Sequence, residues 1–209
     1  MRDLDRADLD RVLADIVAIR SQVAAGTAFQ GYGPSALAVT GALALATAIL
    51  QALLLDDPTA QPLAFLFGWI ATAVVAVALV GAEMLARSRR HHSGLADAMI
   101  LNAVEAFLPA GAAGALLLLV LARLAPEALW LLPGLWQILV GLGLFASLRA
   151  LPRPVAWGAA WYVVAGLGAI AVAADGHALS PWTMGLPFAG GQALLAIILH
   201  LAPGGDVDA

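Results

Sequence analysis

Six apolar runs, each long enough to cross a bilayer, follow one another from residue 34 to residue 202 with only short turn-like segments between them. A helix needs roughly 20 apolar residues to cross about 30 Å of hydrocarbon. The runs read as spans at about 34–55, 62–86, 97–122, 127–149, 154–174 and 181–202. The separators "DDPTAQP", "RSRRHHSG", "RLAPEA", "RALPRP" and "DGHALSP" are rich in proline, glycine and charge. The expected fold class is an all-α membrane protein, a six-transmembrane-helix bundle. Residues 1–30 are expected to form a cytoplasmic amphipathic helix and linker, 31–203 the transmembrane domain, and 204–209 a short C-terminal tail. Pro62 and Pro181 suit first-turn positions, where a missing N–H costs nothing, and Ser180 suits an N-cap.

The composition narrows the chemistry. Charged residues make up 11% of the chain, against about a quarter in a soluble domain. There is no cysteine, which removes disulfides, thiolate metal sites and thiol redox chemistry. All ten basic residues are arginine; with abundant Ala, Gly and Pro, this suggests a GC-rich bacterial genome and hence the inner membrane. The opening "MRDLDRADLDRVLADIVAIR" is too acidic and polar for a cleaved signal peptide.

Arginine also sets the expected orientation. Arg2, Arg6, Arg11, Arg20, Arg87, Arg89, Arg90, Arg149 and Arg153 fall on one side of a six-span arrangement, and Arg123 alone on the other. The positive-inside rule then places both termini in the cytoplasm. Trp130 and Trp182 fall near the outer interface and Trp157 and Trp161 near the inner one, depths that suit amphipathic rings.

Residues 4–26 carry Leu9, Leu13, Ile16, Ile19 and Val23 at helical spacing. Five aspartates stand against four arginines up to Arg20, so this helix lacks the basic face of a binder of anionic lipid. Its stripe is expected to pack on the protein's own loops, on a second subunit or on another protein.

Polar residues inside the spans are the candidate sites. Glu105 lies about 12 Å into span three at 1.5 Å per residue, where a charge costs up to about 3 kcal/mol. Pro109 would clash with the carbonyl of residue 105 and free it. Asp97 and Glu105 share a helix face, with Asn102 beside it, and Glu83 stands four residues before Arg87 in the order that favours an ion pair. A cytoplasm-facing cluster of Glu83, Arg87, Asp97, Asn102, Glu105 and Arg149 is therefore expected. It serves either interhelical pairing, at about 0.6 kcal/mol per bond, or proton handling and transport.

Pro109, Pro133 and Pro187 are candidate hinges, and Gln137 and Gln192 candidate helix-packing groups able to satisfy a carbonyl freed by proline. Small residues at 111, 114, 141, 143, 190 and 191 would allow close helix approach. No catalytic, cofactor or metal residue is expected. His91, His92, His177 and His200 lack accompanying ligands, and no nucleophile-elbow, Walker or dinucleotide motif occurs. The expected partners are the lipid bilayer and, through residues 4–26, a second copy or another protein; no nucleic acid is expected.

The blocks "GYGPSALAVTGALAL", "LLPGLWQILVGLGLFAS" and "PWTMGLPFAGGQALL" resemble segments of small bacterial inner-membrane proteins with six predicted spans, a grouping to which no reaction or ligand is assigned. The resemblance implies the span count and no site residue. Two functions remain: a non-enzymatic regulatory or assembly subunit, and a small transporter or proton-coupled carrier using Glu105 and the prolines of spans three, four and six.

Overall fold

A computed structural model of the protein describes residues 34–91, 95–148 and 151–201, with the side chains of residues 85, 87–91, 95–104 and 106–107 left aside. The amphipathic segment 4–26 and the C-terminal tail lie outside the described residues. Six α-helices follow in order: α1 (Pro34–Leu54), α2 (Pro62–His91), α3 (Leu95–Leu124), α4 (Leu132–Ser147), α5 (Val155–Ala173) and α6 (Trp182–Leu201). A 3-10 turn, Pro126–Leu131, leads into α4. No strand occurs among the described residues.

Among the described residues five segments are long and apolar enough to cross a membrane: Pro34–Leu54, Pro62–Met84, Pro126–Ser147, Val155–Ala173 and Trp182–Leu201. The protein is accordingly a multi-pass membrane protein. In α3 the apolar part is the shorter Leu108–Leu124, within a helix of 30 residues. At 1.5 Å per residue that helix is about 45 Å long, more than the hydrocarbon is thick.

Local chemistry sets the helix boundaries. The Asp57 carboxylate accepts the N–H groups of Thr59 (2.8 Å) and Ala60 (3.1 Å), turning the chain before Pro62 opens α2. Pro126 stands two residues after the end of α3 at Leu124, where a proline cannot continue the α-helix. Pro133 falls in the first turn of α4. The carbonyl four residues before it, Leu129, accepts the N–H of Leu132. Pro133 thus stands where the 3-10 turn passes into α-helix rather than in mid-helix. Ser180 behaves as expected of a cap, its hydroxyl accepting the Trp182 N–H at 3.3 Å.

Neighbouring helices form an arc: α3 packs on α4, α4 on α5, α5 on α6, α6 on α1, and α1 on α2. The closest pairs are α4 with α5 and α1 with α6. Among the described residues α2 and α3, though consecutive, barely touch. Glycine permits the close approaches. A Cβ on Gly134 would lie 2.5 Å from the Gly166 carbonyl oxygen, and one on Gly166 would lie 2.5 Å from that of Gly134. The α4 and α5 backbones are therefore in contact there. Two apolar clusters fill the bundle. One joins Ala44, Phe65, Trp69, Leu129, Leu132 and Met184; the other joins Leu37, Leu144, Val155, Ala159, Tyr162 and Leu195.

Candidate functional site

The polar interior gathers on α6, around its internal proline. Pro187 has no N–H, so the Thr183 carbonyl one turn earlier loses its helical partner. Gln137 of α4 supplies one. Its amide nitrogen donates to the Thr183 carbonyl at 2.9 Å and to the Pro133 carbonyl of its own helix at 3.1 Å. Gln137 is fully buried. Both amide hydrogens are thus used, whereas Oε1 has no partner. Two net hydrogen bonds contribute about 0.5–1.5 kcal/mol each, and an unsatisfied buried acceptor costs about 1–3 kcal/mol. The two effects come close to cancelling.

On the other side of the proline, α5 grips α6 through adjacent aromatic residues. The Trp161 indole donates to the Pro187 carbonyl at 2.9 Å, and its ring lies against Gly190. The Tyr162 hydroxyl reaches the Phe188 carbonyl at 3.5 Å and packs over Gly191, where a Cβ would lie 2.5 Å from the ring. The Gln192 side chain lies near the Tyr162 hydroxyl, and its Oε1 is buried without a hydrogen-bond partner. The backbone of α1 approaches the same stretch, with Gly41 facing Gln192 and Ala189.

A second polar seam joins α1 to α2. Gln51 donates to the Phe65 carbonyl at 2.8 Å with its amide over Gly68. Its Oε1 and the nearby Trp69 indole N–H are both buried and unpartnered. Thr47 and Thr72 share a hydrogen bond at 2.7 Å, and Thr72 also donates to the Gly68 carbonyl. The loop before α6 is tied to the loop before α2, the Thr59 hydroxyl accepting the Leu179 N–H at 3.1 Å. His177 in that loop has a left-handed backbone (φ 49°) and stacks on Trp130 at 4.6 Å.

The acidic residues singled out from sequence lie elsewhere. Glu83 is half-buried on α2 and accepts a hydrogen bond from Ser35 at 3.2 Å, which joins the start of α1 to the C-terminal part of α2. Glu105 is exposed on α3, four residues before Pro109, also exposed, and α3 runs through that proline as one helix. The side chains of Arg87, Asp97 and Asn102, and the whole of Arg149, lie outside the described residues. No group of three potential metal ligands occurs among the described residues.

Sequence reading found Gln137 and Gln192 but assigned neither a partner. It missed Gln51, Tyr162 and Thr183, and placed Trp161 at the interface rather than on a carbonyl of α6. The available signal was Trp-Tyr inside span five facing Gly-Gly inside span six. In comparisons with known proteins, no family model, curated protein or solved structure matches this chain.

Proposed function

We propose that the protein is a non-enzymatic regulatory or assembly subunit of the bacterial inner membrane, with both termini in the cytoplasm. Its amphipathic segment 4–26 would dock on a second copy or on another membrane protein. In this reading it stands beside the small six-span inner-membrane proteins its sequence blocks resemble. The observation that carries it is the close packing of α4 against α5 and of α4 against α6 among the described residues. The α4 and α5 backbones touch at Gly134 and Gly166, and the carbonyl released by Pro187 is bonded to Gln137. Close packing of this kind suits a scaffold better than a pathway.

The test is co-purification in mild detergent after crosslinking, with the full chain and with a chain lacking residues 1–26. A defined partner or a homo-oligomer is expected with the full chain and should be lost on truncation. A monomer that recruits nothing, and that behaves the same without the segment, would sink the reading.

One observation favours a carrier instead: an exposed carboxylate, Glu105, lies one turn before a proline inside α3. Proton-coupled flux into proteoliposomes should then fall sharply in Glu105→Gln. Equal flux in both would remove Glu105 from the mechanism.

A further inference from the structure

We propose that Gln137 is the latch of a hinge in α6 at Pro187, holding the segment before the proline against α4 while the segment after it stays fixed to α5 and α1. The two segments have different hydrogen-bonded anchors, although both also pack on α1. Before the proline, Thr183 is bonded to Gln137, and the preceding loop is tied through Leu179 to Thr59. After it, Phe188 and Gly191 are gripped by Tyr162, with Gly41 of α1 against Gln192. The Trp161 bond to the Pro187 carbonyl falls at the junction.

A proline in mid-helix makes a hinge only if the freed carbonyl can be released, and here that carbonyl has one buried side chain on it. The latch is also poised. Closing it uses both amide hydrogens of Gln137 but leaves Oε1 dry. The closed arrangement is therefore held by less than two hydrogen bonds would suggest, and an opened one can hydrate or re-pair that oxygen. Opening would swing the first turns of α6, with Met184 and Gly185, away from the cluster they share with Ala44, Ala48 and Trp69.

The test is hydrogen–deuterium exchange of the full chain in lipid nanodiscs, following peptides from α6 and, as a control, from α5. Gln137→Met keeps the bulk of the side chain and removes the latch. Exchange of the amides flanking Pro187 is expected to rise about tenfold, the equivalent of losing one good hydrogen bond, with α5 unchanged. Pro187→Ala in the same chain restores a backbone N–H at position 187 that can bond the Thr183 carbonyl. The double variant is therefore expected to return to the parent rate. The proposal is overturned if Gln137→Met leaves α6 exchange unchanged, if α5 accelerates equally, or if Pro187→Ala fails to rescue.

Discussion

Buried glutamines at Gln51 and Gln137 look equivalent by exposure, yet the groups they satisfy differ. The Phe65 carbonyl that Gln51 bonds lies in the first turn of α2, with Trp69 four residues on; the Thr183 carbonyl that Gln137 bonds has at that position only the nitrogen of Pro187, which carries no hydrogen. Gln51→Met removes one hydrogen bond together with one orphaned oxygen. It should therefore change stability by no more than about 1 kcal/mol in either direction, read as the thermal midpoint in detergent. Tyr162→Phe is expected to cost about 0.5–1.5 kcal/mol in the same measurement, because it removes the hydroxyl's bond to the Phe188 carbonyl. A neutral Tyr162→Phe would show that this long bond contributes nothing to stability. Which buried amide matters cannot be read from residue type. It depends on whether a proline in another helix has emptied the carbonyl opposite.

At the scale of helices, contact between backbones decides the outcome of glycine substitution. Gly134→Ala or Gly166→Ala would drive a methyl group onto a carbonyl oxygen fixed in the facing helix. Either should destabilise by about 1–3 kcal/mol or more, as overpacking does. Gly111→Ala and Gly168→Ala meet open space, and should be neutral or stabilising by up to about 1 kcal/mol. Thermal melts of the four single variants in one detergent check the contrast, which collapses if the two pairs behave alike. Sequence reading identified Gly114, Gly141, Gly190 and Gly191 as contact glycines, and each of them does face another helix. It also chose Gly143 and Gly111, the latter with no neighbour within 4 Å among the described residues, and passed over Gly134, Gly158, Gly166 and Gly185. The reason is physical. These helices are apolar on every side, so no polar face marks their rotation, and rotation alone determines which glycine meets a neighbour.

For the molecule as a whole, the helical architecture and most span boundaries were legible because bilayer thickness imposes a length on every run. The arc of neighbours was not legible, since apolar helices carry no code for their order. The nine-to-one arginine split proposed to govern orientation is open to a direct test in a chain free of cysteine. Single cysteines at the exposed positions Ala60, Asp175 and Arg153 should divide by side. The first two should react with an impermeant maleimide added to intact cells, and the third only after lysis. Labelling of Arg153→Cys in intact cells would invert the topology.

The pairing of α1 with α6 bears on how the protein is made. The first described helix finds its main partner in the last, so on the ribosome Gly41, Ala44 and Ala48 must wait in lipid until Gly185 and Ala189 have been translated. Helices α2 to α5 are inserted during that interval, and α4 with α5 can lock as soon as both are present. A nascent chain arrested before Trp182 would therefore hold α4 locked on α5 and α1 packed on α2 alone, with the glycine- and alanine-lined face of α1 that α6 covers still open to lipid.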